Sequence, residues 1–266
     1  MSALGRYVFD HSWEGERARL AALEAAFDPG TTRHLDAVGV GVGWRCLEVG
    51  AGAGSIARWL CERVGPAGRV VATDLKTGFI DSLPGEYSCA EVLTHDVVAD
   101  ELEADTFDLI HARLLLEHLP DRDLALKRLV TALAPGGVLM LEDFDWCSLV
   151  TPPGPDEELF DRACRSLREH MEANGYTPWF GRRLPGALSE AGLERVGAEG
   201  RTLIGLPGTA AAAWWPLNFE SIRDPLVARG GITGAELDRM LALSETPGFT
   251  FQYPLLVAAW GWRPAD

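Results

Sequence analysis

Chemistry is first suggested by three acidic residues and a run of glycines. In "CLEVGAGAGSIARWL", residues 46–60, Gly50, Gly52 and Gly54 occupy every second position, and Glu48 stands two residues before the first of them. The apolar run before the turn predicts a strand, and the residues after it predict a helix. Glycine permits positive φ and lets a ligand approach the backbone. The helix start that follows offers unpaired amides. A dinucleotide site would carry G-x-G-x-x-G with a pyrophosphate on the helix start. Here the spacing is G-x-G-x-G, and Ser55 takes the place of the third dinucleotide glycine. Glu48 would also repel a pyrophosphate, so a guest that is cationic at this end fits better. No G-K-[ST] follows, which excludes a P-loop.

Asp74 and Asp96 extend the pattern. Asp74 ends the second predicted strand, twenty residues beyond Gly54, where an acid can accept from the hydroxyls of a ribose. Dinucleotide sites place an acid there too, so this residue alone does not discriminate. Asp96 ends the third strand, where an acid can accept from the exocyclic amine of adenine while Val97 packs beside the ring. A cation, a ribose and an adenine without phosphate describe S-adenosylmethionine. Each residue also has a plainer reading: Glu48 as a solvated strand-end acid, Asp74 and Asp96 as helix caps, Gly54 as a packing glycine.

The elements that must position these residues follow from periodicity. Strands are predicted at 45–50, 69–74, 90–96, 107–112 and 138–144. Helices are predicted at 55–65, near 76–83 and at 121–137, where a Pro-Gly-Gly stop ends the third. Short, continuously apolar strands separated by helices mean an α/β, doubly wound parallel sheet covered on both faces. Beyond residue 145 the rhythm changes. Helices are expected at 156–175, at 209–230 and at 233–245, where Thr233 and Glu236 form a capping box. The segment 184–206 reads as a helix and then a strand, and 249–262 as a strand pair or one long strand.

On "LEVGAGAGSIARWL", "VVATDL", "THDV", "FDLIHARLLLEHLPD" and "LAPGGVLMLEDFDW" the chain resembles the class I S-adenosylmethionine-dependent methyltransferases, in the small-molecule branch common in secondary metabolism. The resemblance covers roughly residues 40–145. It implies a mostly parallel, seven-stranded Rossmann-like sheet with a reversed last hairpin and helical lid insertions. It also implies S-adenosylmethionine as cofactor, held by Glu48, Gly50, Gly52, Asp74, Leu75, Asp96 and Val97, with His111 and Ala112 on the loop after strand four. The expected organisation is one methyltransferase domain over 1–266: a helical cap at 1–38, a cofactor core at 39–146, a helical lid at 147–248 containing one core strand, and a closing strand at 249–266.

Displacement at a sulfonium methyl needs alignment first, which can account for up to roughly 7–11 kcal/mol of barrier. A hydroxyl acceptor also needs its proton removed, at about 10²–10⁴-fold in rate. The residues near the strand ends that could act are His111, Arg113, Glu117 and His118 after strand four, and Glu142, Asp143 and Asp145 after strand five. His118 and Asp143 are the catalytic candidates. Asp143 and Asp145 flank Phe144 and point the same way along a strand, so one of them is expected in the acceptor pocket. His118 has the plainer role of favouring a helix C-terminus, His111 that of an adenosyl or supporting contact, and Arg113 that of an ion pair with Glu142 or Glu117. The chain holds nine tryptophans, and Trp179, Phe180, Trp214 and Trp215 lie in the lid, so the acceptor is expected to be aromatic or polyketide-like, methylated on a hydroxyl. Tyr7 is expected near the methionine end of the cofactor, under an N-terminal cap whose Leu20, Leu23 and Phe27 keep helical spacing. Alternatives are N- or C-methylation, a non-methylating enzyme of the same fold such as a cyclase, and a non-catalytic cofactor-binding module.

The bulk properties narrow the partners. A net charge of −15 without a basic stripe argues against nucleic acid. Five scattered cysteines, Cys46, Cys61, Cys89, Cys147 and Cys164, with no CxxC pair, argue against a zinc cage or a disulfide framework and suit a reducing cytoplasm. No bound metal is expected. No window approaches the ~18 apolar residues that span a bilayer. The partners expected are a small-molecule substrate and, through an exposed patch at Trp214 and Trp215, a second copy in a homodimer.

Overall fold

The computed structural model describes residues 8–9 and 12–265. The apolar runs form a seven-stranded sheet made of β1 (Arg45–Val49), β2 (Arg69–Asp74), β3 (Ala90–Thr94), β4 (Phe107–Arg113), β5 (Leu133–Asp145), β6 (Glu194–Arg201) and β9 (Leu255–Trp262). Their order is β3-β2-β1-β4-β5-β9-β6. The first five strands run parallel, and β9 runs antiparallel to both β5 and β6. Strand order reverses between β1 and β4, which opens a crevice at their carboxyl ends, the place where sheets of this kind bind ligands. The expected doubly wound sheet with a reversed last hairpin is therefore present.

Period two decides what each face carries. Leu47, Val49, Ile110, Ala112, Leu139 and Leu141 pack beneath α4 (Arg122–Ala132) and α6 (Leu184–Glu190). Cys46, Leu109, Val138 and Met140 face the opposite way, against α2 (Ser55–Val64) and the end of α1 (Glu16–Val38). Glu48, His111, Arg113 and Glu142 continue that second face, so one covered surface receives four titratable residues.

Some elements depart from expectation for local reasons. The helix expected near 76–83 is mostly turns, and only α3 (Leu83–Glu86) is helical, with a proline in its first turn. The helix expected over 121–137 ends at Ala132, where Leu133 turns extended. Pro135 lacks an amide hydrogen and disfavours helix in the residue before it, so β5 begins at Leu133 and bulges before rejoining β4. The 209–230 helix is two, α7 (Ala210–Ser221) and α8 (Arg223–Ala228). The 249–262 segment is two strands in different sheets: β8 (Phe251–Gln252) pairs with β7 (Ile204–Gly205), while β9 enters the main sheet. The capping box forms at the start of α9 (Gly234–Leu243): Thr233 caps the Glu236 amide, and the Glu236 side chain accepts from the Thr233 amide.

Above the carboxyl ends of the strands, α1, α5 (Glu157–Ala173), α7, α8 and α9 gather a second, aromatic core. Trp214 and Trp215 belong to it and are 5% and 3% exposed. The exposed patch expected at these two residues does not exist, and they give no support to a homodimer. Their faces are taken by Phe27, Phe144, Phe219 and Tyr253. Among the described residues no helix is long and apolar enough to cross a membrane.

Candidate active site

The glycine turn after β1 needs its glycines for backbone reasons. Gly50, Gly52 and Gly54 have φ of 71°, 57° and 88°, the left-handed region that side chains disfavour. The turn is tied to β2 by the amides of Gly50 and Ala51, which donate to the Thr73 carbonyl at 2.8 and 2.9 Å. Gly54 also serves packing, since a Cβ there would lie 2.7 Å from Ile80 Cγ2. Gly50 and Gly52 have only ordinary neighbours at their Cβ positions, so there the conformation is the requirement.

Around this turn lies a cleft whose space, open mouth included, amounts to about 1380 Å³. One end is acidic. Glu48, Asp74 and Asp96 all line it, with Gly50, Gly52, Leu75 and Val97. Asp74 Oδ2 accepts from the Gly52 amide at 3.0 Å and Oδ1 from the Lys76 amide at 3.1 Å. Asp96 Oδ1 accepts from the Val98 and Ala99 amides at 2.9 and 3.3 Å. These bonds fix the carboxylates and still leave each of them lone pairs for hydroxyl or amine donors. Glu24, from α1, takes the Ser55 amide at 3.2 Å, so an acid already sits on the helix start where a dinucleotide phosphate would go. The two arginines at the cleft are paired internally, Arg19 with Glu16 and Arg113 with Asp28. This donor set suits a cationic, phosphate-free nucleoside.

His111 and Ala112 do not line the cleft, although contacts to the cofactor were expected of them. Strand alternation sends Ala112 into the core, and His111 lies wholly buried behind Glu48. His111 Nδ1 is 2.7 Å from Glu48 Oε2, and Nε2 is 3.5 Å from Glu142 Oε2. Burial opposes the imidazolium, but the charges of and bonds to Glu48 and Glu142 outweigh it and hold its pKa at about 9. Burial likewise raises the Glu48 carboxyl, opposed by His111. For Glu142 burial loses to hydrogen bonds from His111 and His34, and its pKa is held low. Thr31 Oγ1 donates to Glu142 at 2.5 Å, and Arg113 donates to Thr31 at 2.8 Å and to Asp28 at 2.9 Å. Arg113 thus makes an ion pair, as expected, but with α1 instead of Glu142 or Glu117. The string joins the back of the glycine wall to α1.

The other end of the cleft is aromatic. Phe9, Phe144, Trp146, Tyr176, Trp214 and Trp215 line it, together with His118. Phe144 occupies the position expected of an aspartate. Along β5 it shares the face of Glu142, while Asp143 and Asp145 point to the opposite face. Asp143 Oδ1 accepts from the Leu115 amide at 3.1 Å, and Asp145 pairs with Arg182. Neither acid lines the cleft, which removes Asp143 from direct contact with an acceptor there. His118 does line it, in the 3₁₀ turn Leu116–His118, with the Tyr176 ring at 4.8 Å. Burial, then the charges of Arg19 and Arg122, depress its pKa to about 3, so it is a neutral imidazole. Beside it, Glu117 Oε2 accepts from the Phe144 amide at 2.8 Å, and Trp146 Nε1 donates to the Tyr176 hydroxyl at 2.7 Å. Burial, and then the Asp143 charge, raise Glu117 well above the usual carboxylate range, and burial holds Asp143 at about 8.

Tyr7 lies outside the described residues. Several cleft residues were not anticipated: Glu16, Arg19 and Glu24 from α1, His95 beside Asp96, Tyr176 after α5 and Asn218 on α7. Helical spacing marked α1 as amphipathic, but nothing in the sequence pairs Arg19 with Asn218, 199 positions away. Among the described residues no group of His, Cys, Asp and Glu could hold a metal ion.

Comparison with known proteins agrees with this geometry. Residues 47–139 match the methyltransferase domain family. The chain is 32% identical over 177 residues to Methyltransferase str2 of Strobilurus tenacellus, covering 64% of this chain and 61% of that protein. It is 26% identical over 175 residues to the ubiquinone/menaquinone biosynthesis C-methyltransferase UbiE of Bordetella parapertussis, covering 58% and 65%. The chain thus spans less than two thirds of the length of either relative. A solved structure of Haemonchus contortus phosphoethanolamine N-methyltransferase 2, in complex with phosphomonomethylethanolamine and S-adenosylhomocysteine, superposes with a TM-score of 0.54 at 16% identity, over 97% of this chain and 54% of that one. That likeness is one of fold. With its glycine turn, its acid-lined crevice and its matched core, the chain carries over residues 47–139 a methyltransferase domain similar to those of the class I S-adenosylmethionine-dependent methyltransferases.

Proposed function

We propose that the protein transfers the methyl group of S-adenosylmethionine to a hydroxyl of a small, largely apolar aromatic or polyketide-like acceptor. The observation that carries this reading is the division of one cleft into an acidic glycine wall and an aromatic chamber. Asp74 would hold the ribose hydroxyls and Asp96, with Val97, the adenine. Gly50 and Gly52 would let the methionine end pass close to the backbone, in front of Glu48. Once bound, the cofactor supplies an activated methyl on a good leaving group.

The protein's own contribution is then alignment and exclusion of water. Phe144, Trp146 and Tyr176 form a dry surface against which a flat acceptor can be held. His118 is neutral and can accept a hydrogen bond from the acceptor hydroxyl. With its pKa near 3 it is a weak base, so orientation is its main task and outright proton removal is not. Asp143 supports Leu115 from behind the chamber and takes no direct part. The division into cap (1–38), core (39–146), lid (147–248) and closing strand (249–266) fits this scheme, because α1, α5 and α7 roof the chamber. The acidic surface fits a small-molecule acceptor better than a nucleic acid. Incubating the protein and S-adenosylmethionine with a panel of phenolic and enolic acceptors, and analysing products by mass, tests the reading. It expects a gain of one methyl on oxygen. Methylation restricted to small polar amines would overturn it.

A further inference from the structure

The chamber wall contributed by α7 carries a polar row within an aromatic surface. Trp214 and Asn218 are four residues apart and so share one helix face. Asn218 Oδ1 accepts from Arg19 Nη1 at 3.2 Å, and its Nδ2 donates to the Trp214 carbonyl at 2.8 Å. Arg19 in turn makes a bidentate pair with Glu16, both bonds 2.7 Å. Asn218 Oδ1 and the two Glu16 oxygens are therefore all engaged by Arg19.

Trp214 differs. It lines the cleft at 5% exposure, yet its indole Nε1–H is buried with no acceptor among the described residues. Buried indole donors usually find a partner, and one left unmade bears its whole desolvation cost. The rings that fix Trp214 are Phe27 at 5.4 Å, Tyr253 at 5.8 Å and Phe144 at 6.0 Å; the Tyr253 hydroxyl donates to the Ala211 carbonyl, and its oxygen makes no hydrogen bond with the Trp214 indole. Trp215 Nε1 is also unsatisfied but has the Cys164 sulfur as a neighbour, so it points less clearly to a ligand.

We propose that Trp214 is a specificity-determining residue of the acceptor site: its indole N–H donates to an uncharged carbonyl oxygen carried by the aromatic acceptor. A carbonyl is the chemistry that answers a lone donor in a dry aromatic wall. A carboxylate is not, because the Arg19 charge is already neutralised by Glu16 and His118 carries none, and an uncompensated buried charge is costly. The inference rests on reading the aromatic chamber as the acceptor site.

The experiment compares 4-hydroxyacetophenone with 4-isopropylphenol, which has nearly the same shape and no carbonyl, by calorimetric titration into protein saturated with S-adenosylhomocysteine. Wild type is expected to bind the ketone roughly five- to tenfold more tightly, and Trp214→Phe, which keeps the ring and loses the donor, to bind both alike. In wild type, the Trp214 indole proton resonance, assigned through its contacts with the Phe27 and Tyr253 rings, should move downfield on adding the ketone, a readout that survives if the variant folds poorly. Equal binding of the two phenols by wild type, or an unmoved indole resonance, overturns the proposal. Methyl transfer is scored separately: a ketone that binds selectively through Trp214 and is never methylated sinks the hydroxyl-methylation reading while leaving the carbonyl contact standing.

Discussion

Two histidines hold opposite charge states: His111, fully buried behind the acidic end of the cleft, and His118, largely covered in its aromatic end. His111 lies between Glu48 and Glu142 and holds its proton up to about pH 9. His118 lies among the rings of Phe9 and Tyr176 and loses its proton near 3. Burial alone would push both down. The carboxylates beside His111 reverse the outcome, whereas the charges of Arg19 and Arg122 add to burial at His118 and reinforce it. The glycine wall is thus backed by a fixed, compensated charge string, and the chamber is kept neutral. That contrast suits the cationic cofactor and the apolar acceptor proposed above.

The largest effect should come from breaking the string. His111→Ala leaves Glu48 and Glu142 buried without their shared cation, and removing one partner of a buried pair costs about 3–5 kcal/mol. Urea denaturation should show that loss, with His118→Ala losing clearly less; equal losses would erase the comparison. Next, Asp74→Asn should weaken S-adenosylhomocysteine by roughly 10- to 100-fold, since hydrogen bonds to a charged group contribute about 1.5–3 kcal/mol, with little change in melting temperature. Calorimetry decides it, and unchanged affinity would move the ribose elsewhere. Gly54→Ala must hold φ near 88° with a Cβ 2.7 Å from Ile80, and should cost about 1–3 kcal/mol of stability through strain.

The smallest effect sharpens the contrast through pH. The folded pKa of His111 is raised, so its contribution is full below its ordinary value of 6.5 and is lost as pH rises through about 9. The folded pKa of His118 is depressed, so its contribution is full above 6.5 and is lost as pH falls towards 3. His111→Gln should therefore flatten the alkaline side of the stability profile, and His118→Phe the acid side. The same limb changing in both variants would contradict the assignment of charge states.

How legible the site was differs between the two ends. The glycine wall was readable because its parts are local: Gly50, Gly52 and Gly54 are a turn, and Glu48, Asp74 and Asp96 end strands whose apolar runs announce them. Period two also places Glu48, His111 and Glu142 on one face and Phe144 with them, so Asp143 could have been set aside from alternation alone, once β5 was known to stay regular to Asp145. The chamber was not readable to that degree. Trp214 and Trp215 read equally well as an exposed patch or a pocket wall until α1 and α5 were seen to cover them.

The parallel sheet, the glycine turn and the acids at the strand ends are set locally, because hydrophobic period, backbone conformation and strand termini are properties of neighbours in the chain. Which charges are neutralised follows from packing alone, since Glu48 meets His111, Arg113 meets Asp28 and Arg19 meets Asn218 across long separations. The protonation of each buried group follows from those meetings and from the water they exclude, and neither is written in any single stretch of the chain.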